Sequence, residues 1–272
     1  MFRGFYTVAS GMLAQQRRTE MLTNNMANAN TPGFKADQSA MSSFSDMLLK
    51  RYDQQTIPTK KGLSLPVNPT VGSISTGVYM QEAVPLFAQG DIRETSMDTD
   101  IALVNGNLPE NASVFFTVTG PTGDVRYTRN GNFTLDGQGF LTTASGLYVL
   151  DEGGQRIQLS SDDFTVTEEG LLTGSGGETA RIGVGYAEDA NRLVKEGDGL
   201  YAAEDGALPI AYGNGDIQFK LQQGYLEQSN VDTSRTMTDM MTAYRAFEAN
   251  QKVLQAYDRS MEKVANEVGR IG

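Results

Sequence analysis

The residues best suited to chemistry are carboxylates, which stand in close pairs at Asp98/Asp100, Asp162/Asp163 and Glu168/Glu169. Two acids flanking a glycosidic bond suffice for its hydrolysis, one donating a proton and the other acting as base or nucleophile. Neighbouring acids on a strand point to opposite faces, however, and most of these sit beside turn residues, so solvated turn charges describe them better. The sequence has no His and no Cys. That removes a Ser-His-Asp hydrolase, a zinc enzyme and any disulfide. No calcium-loop spacing is present. Gly197-Asp198-Gly199-Leu200-Tyr201-Ala202 fits a dinucleotide-binding pattern. Asp205-Gly206 and Pro209 follow it, where a phosphate site needs a helix, so it is read as a hairpin turn. No catalytic residue, cofactor or metal is expected.

Composition narrows the partners. The 272 residues carry 33 acidic and 22 basic side chains, a net charge of −11, with no basic arm. A nucleic-acid backbone is therefore not an expected partner, and the acidity reads as a solvated surface. No stretch approaches the ~20 apolar residues of a membrane span. Thr7, Ser10, Gln15 and Gln16 interrupt the N-terminal apolar residues, so no cleavable signal peptide is expected.

Helical patterns lie at the two ends. Phe5, Ala9, Met12, Leu22 and Met26 share a three-four stripe with Gln16 and Thr19. This helix should end near Asn28–Asn30, because Pro32 disfavours a helical Thr31 and Gly33 permits a sharp turn. Near the other end, Met240, Ala243, Phe247, Asn250, Leu254, Tyr257, Met261, Val264, Val268 and Ile271 step by three and four, with Asn250 alone polar. The spacing predicts 32 residues of helix, about 48 Å long. So narrow a stripe suits a coiled-coil seam better than a face packed on the chain's own β domain. The first helix is the obvious partner.

Between the helices the pattern changes. Residues 35–76 read as an extended connector with Pro58, Pro66 and Pro69, and with a possible short helix at Ser42–Arg51. From Gly72 to Gly224 lie 24 of the 30 glycines. Asn-Gly or Asp-Gly pairs at 105–106, 130–131, 136–137, 198–199, 205–206 and 214–215 suggest hairpin turns between short β-prone runs. The expected fold is therefore α+β: paired, coiled-coil-like terminal helices flanking a mainly antiparallel β domain. The expected domains are 1–34 with 226–272, a connector 35–76 and a β domain 77–225.

Four separated segments carry a family resemblance. Ser10–Gln16 followed by Asn24-Asn25-Met26-Ala27-Asn28-Ala29-Asn30-Thr31-Pro32-Gly33-Phe34-Lys35 is similar to the signature of flagellar basal-body rod proteins. Tyr127–Phe133, with Gly139-Phe140-Leu141-Thr142 and Gly146-Leu147, resembles the central domain of rod and hook proteins. Gly224-Tyr225-Leu226-Glu227-Gln228-Ser229-Asn230-Val231-Asp232 and Ala243–Gln255 resemble the lead into the C-terminal helix and that helix's start. One departure is a lengthened loop at Asn107–Ser113.

The resemblance implies a structural subunit, not an enzyme. It would self-assemble through its terminal helices into a helical drive shaft carrying torque from motor to hook. The partners implied are further copies of the chain, other rod and hook proteins and the flagellar type III export apparatus. The location implied is the basal body in the cell envelope, reached without a cleaved signal peptide. Distal rod is the preferred position, with proximal rod or a hook-type axial protein as alternatives. A cell-wall hydrolase using paired carboxylates is the alternative of a different class, and a binding module on a coiled-coil stalk a weaker one. The residues expected to carry assembly are Met12, Leu22, Met26, Met240, Phe247, Leu254, Tyr257, Met261, Val264 and Val268. Asn28, Asn30, Pro32, Gly33, Phe34, Ser229, Asn230 and Asp232 carry the family motifs.

Overall fold

The computed structural model describes residues 2–50, 53–57, 63–67, 70–204, 206–213 and 217–268, with side chains described outside 2–3, 48–67 and 268. Two helices bracket a β-rich centre: α1, Phe2–Ala27, and α2, Thr233–Val268. Internal contacts group the chain into two compact units. The first holds Met1–Thr23, Ser39–Ala83 and Met237–Gly272, and the second holds Asn24–Gln38 and Val84–Thr236. Residues 24–34 and 226–236, expected with the terminal helices, thus group with the β unit, and residues 39–76 of the expected connector group with the helices.

In the first unit, α1 and α2 run antiparallel. Gly4 lies against the Tyr257 hydroxyl and Gly11 against the Asn250 amide, while Thr23 Oγ1 reaches Met240 Sδ at 3.7 Å. Each step up one helix is a step down the other. The described residues of the expected connector form short strands that pair with one another and with Val78–Met80. Met41–Ser43 pairs with Val78–Met80, Met47–Lys50 with Thr70–Ile74 and Asp53–Ile57 with Leu63–Val67, all antiparallel. The possible helix at Ser42–Arg51 is therefore corrected to strand where described. Its Ser, Met and Leu residues satisfy their backbone groups across the ribbon instead of within a turn. The base of this ribbon docks on α1: Thr7 Oγ1 donates to the Thr76 carbonyl at 3.0 Å, and the Val78 N–H donates to Ser10 Oγ at 3.3 Å.

The second unit is antiparallel throughout. Its largest sheet has five strands in the order Val184–Ala187, Ser113–Thr119, Val125–Thr128, Leu200–Ala203, Leu193–Gly197. Ser113–Thr119 is apolar on both faces because both are covered. Val114, Phe116 and Val118 enter one core with Ile101, Leu103, Phe133 and Leu141, while Phe115 enters a second with Tyr127, Leu193 and Tyr201.

The Asn-Gly and Asp-Gly pairs behave differently from one another. Asp198 and Gly199 both take positive φ, 48° and 71°, and turn the Leu193–Gly197/Leu200–Ala203 hairpin as expected. Gly131 does not take positive φ. It is there because the Ile101 carbonyl leaves no room for a Cβ. Residue 205 and residues 214–215 lie outside the described residues.

Candidate assembly site

The expected stripe on α2 is its least exposed line. Ala243 is buried, and Met240, Phe247, Asn250, Leu254, Tyr257 and Met261 are half-buried. Val264 is 45% exposed, and the Val268 side chain lies outside those described. On α1, Leu22 is buried and Met12 and Met26 are half-buried. The stripe read on α1 missed two features. Gly4 and Gly11 face α2, admitting Tyr257 and Asn250 at close range, and Ala14 is the most buried apolar residue of the helix. Small residues carry no hydrophobic signal, so periodicity passes over them. Away from these contacts the helices keep large apolar side chains exposed: Tyr6 and Leu13 on α1, and Met237, Met241, Tyr244 and Val253 on α2.

The motif residues do a different job. They form a clasp inside the β unit, where the segment after α1 meets the segment before α2. Asn28 closes α1 by donating from Nδ2 to the Asn24 carbonyl at 3.0 Å. Gly33 adopts φ 69°, and a Cβ there would come 2.5 Å from the Arg129 carbonyl carbon. Its N–H donates to the Glu227 carbonyl at 2.8 Å. Phe34 is buried, with Lys195 Nζ 4.4 Å from its ring centroid. Asn230 is the strap: its Oδ1 accepts from the Ala36 N–H at 2.8 Å, and its Nδ2 donates to the Leu86 and Ala88 carbonyls at 2.8 and 3.0 Å. Ser229 Oγ accepts from the Val231 N–H, and Asp232 Oδ1 caps α2 by accepting from the Arg235 N–H at 3.0 Å. Pro32 is half-buried and Asn30 exposed.

At the centre of the clasp lie three charged side chains that the sequence did not single out. Glu227 Oε1 accepts from Lys35 Nζ at 2.6 Å and from the Gly90 N–H at 2.9 Å. Its Oε2 accepts from Arg129 Nε at 2.9 Å and forms an ion pair with Nη2 at 2.7 Å. Arg129 also donates to Asn105 Oδ1 and to the Val114 and Leu103 carbonyls. The side chains are 0–1% exposed. Burial and then Arg129 push the Lys35 ammonium down, Glu227 opposes both, and the balance lies at about 8. Burial alone would raise the Glu227 carboxyl, but Arg129 and then Lys35 outweigh it and hold it below the usual range. Next to the clasp, Lys195 Nζ bridges both oxygens of Asp37 at 2.9 Å.

The carboxylate pairs do not converge on a cleft. Asp100 is buried and accepts from Asn132 Nδ2 at 3.2 Å, whereas Glu168 is exposed and bridged to Lys220. No metal-binding group of acids occurs among the described residues, and no described helix is long and apolar enough to cross a membrane.

The chain is 45% identical over 278 aligned residues to the flagellar hook-basal body complex protein FlhO of Bacillus subtilis (strain 168), with 100% of both chains covered. It belongs to the flagellar basal-body rod family. It is also 32% identical to the basal-body rod protein FlgG of Caulobacter vibrioides, covering 94% of this chain and 95% of that one. To FlgF of the same organism it is 30% identical, covering 100% and 99%. Three family descriptions match along it: flagella basal body rod protein at 5–35, flagellar hook protein FlgE/F/G D1 domain at 111–174, and flagellar basal body rod FlgEFG protein C-terminal at 222–267. The rod family is one of structural proteins, not enzymes. The loop at Asn107–Ser113 is tied down, since the Asn111 carbonyl accepts from the Ala190 N–H at 2.9 Å.

Proposed function

We propose that this rod-family chain is a self-assembling subunit of the basal-body shaft, most simply of the distal rod, that carries torque from motor to hook. The observation that carries the reading is the cover on α2. A 36-residue helix with a sustained apolar stripe has, among the described side chains, one buried residue past Met237, Ala243. Half-buried Phe247, Leu254, Tyr257 and Met261, and exposed Met241, Tyr244 and Val253, leave apolar surface for neighbours to cover. Repeating one heterologous contact between identical subunits builds an open helix. Axial neighbours would be other rod and hook proteins, and export through the flagellar type III apparatus belongs to the same proposal on the family resemblance. A proximal-rod or hook-type position is the second reading, on the family resemblance.

The test is Leu254→Asp, complemented into a non-motile strain lacking the protein. A charge on the stripe should abolish motility while circular dichroism of the purified chain shows a folded β unit. Motility at the parental level, with the variant present in isolated basal bodies, would sink the proposal.

A further inference from the structure

The clasp holds two cations and one anion in a place without water. Arg129 by itself completes the pairing, because its Nε donates to Glu227 Oε2, its Nη2 pairs with the same oxygen at 2.7 Å, and it donates further to Asn105, Val114 and Leu103. Lys35 is the surplus charge. Each of its acceptors also has another donor: Glu227 Oε1 has the Gly90 N–H, and the Ala88 carbonyl has Asn230 Nδ2. Removing Lys35 would therefore leave neither partner unsatisfied, whereas removing Glu227 or Arg129 would strand a buried charge.

We infer that Lys35 is a positioning residue: it fixes the register of residues 33–37 against 227–230, at a cost to the stability of the fold. The segment makes few apolar contacts able to set that register, since only Phe34 among its side chains is large and apolar. A slip of one residue would turn the ammonium away from Glu227. A slip of two would bring Asp37 or Gly33 to Glu227, giving repulsion or nothing. The correct register is the one in which Lys35 meets a carboxylate and Asn230 Oδ1 meets the Ala36 N–H.

The charged groups around Lys35 come from three places. Glu227 and Arg129 act on it directly, and the Asp37–Lys195 pair lies two residues along. Tyr201 feels Asp37, Arg129 and Glu227, and its hydroxyl is pushed up mainly by burial, so it stays neutral throughout. Below about pH 8 Lys35 is charged in both the folded and unfolded chain, and its burial penalty applies in full. Between about pH 8 and 10.5 the folded chain releases the proton while the unfolded chain keeps it, so this group makes the fold more stable as pH rises.

The experiment compares full-length parent, Lys35→Met and Arg129→Met as dilute, unassembled protein, so its outcome does not depend on the rod proposal. Thermal unfolding is followed from pH 6.5 to 10, with amide hydrogen exchange at pH 7. Lys35→Met should melt at or above the parent at pH 7, and that gap should close as pH rises through the window. Arg129→Met should melt far below both. Despite its unimpaired stability, Lys35→Met should exchange the Ala36 and Asp37 amides at least tenfold faster, while Lys35→Arg restores slow exchange. The inference is overturned if Lys35→Met melts well below the parent or fails to fold, or if exchange at Ala36 and Asp37 is unchanged.

Discussion

Glu227→Gln is the sharpest perturbation of the clasp, because it removes one charge and leaves two opposite ones buried. The carboxylate accepts three N–H groups, one each from Arg129, Lys35 and Gly90, and pairs with Arg129 Nη2 at 2.7 Å. A carboxamide can accept through one oxygen only, and its NH₂ would point at a cation. Deleting one partner of a buried, fully hydrogen-bonded ion pair costs about 3–5 kcal/mol. Lys35, already down near 8, can shed its proton in the variant and relieve part of this, so the lower end applies at neutral pH. For a unit of this size, about 3 kcal/mol lowers Tm by roughly 6–12 °C. The assay is scanning calorimetry with urea unfolding followed by circular dichroism, since the chain has no Trp. The pH dependence adds a second reading. Glu227 titrates below the usual carboxylate range when folded, so its contribution is present above about pH 4.5 and is lost as pH falls through the folded value. The variant should lack this acid-dependent loss. Stability within about 1 kcal/mol of the parent at pH 7, with an unchanged acid profile, would refute the claim that the carboxylate neutralises the buried cations.

Other residues give further expected outcomes. Asn230→Ala removes three hydrogen bonds to residues 36, 86 and 88 and should cost about 3 kcal/mol by urea unfolding. Gly33→Ala meets both a positive φ and the Arg129 backbone, so it should cost at least about 1–3 kcal/mol and lower the Tm of the β unit. Gly11→Leu should push Asn250 away; hydrogen exchange should rise along α1 and the second half of α2 while the β unit stays protected. A fragment of residues 72–224 should fail to give a cooperative melt, because it lacks Lys35 and Glu227 and leaves Arg129 buried without its anion.

Both helices and the antiparallel centre were legible because their signals are local. The α2 stripe from Met240 to Met261 has a period that only a helix satisfies, and the short apolar runs between turn residues fit only strands. What the sequence hid is non-local. Lys35 and Glu227 are 192 positions apart, and no periodicity links them. Arg129 sits in Tyr127–Phe133, a segment recognised by resemblance, whose Tyr127 and Phe133 are buried. A charged residue next to them reads as surface until its partner is known. The ribbon of residues 41–80 was hidden for a related reason: its polar Ser, Gln and Thr residues give little strand signal, and its pairing comes from the chain folding back on itself. Motif residues at Asn230 and Gly33 were recognisable by resemblance, but their work is to fasten two chain ends to the β unit.

The clasp also decides where the chain should be cut to test assembly. Residues 226–236 belong to the β unit, so a truncation at 226 would damage it, whereas one after Thr236 spares Glu227 and Asn230. The most direct measurement is negative-stain electron microscopy of the full chain and of residues 1–236 at high concentration, each alone and seeded with purified basal bodies. Tubes or extended rods from the full chain, and none from 1–236 although its β unit melts cooperatively, is the predicted result. Equal assembly by both, or a full chain that neither polymerises nor adds to seeds, would contradict assembly through the terminal helices.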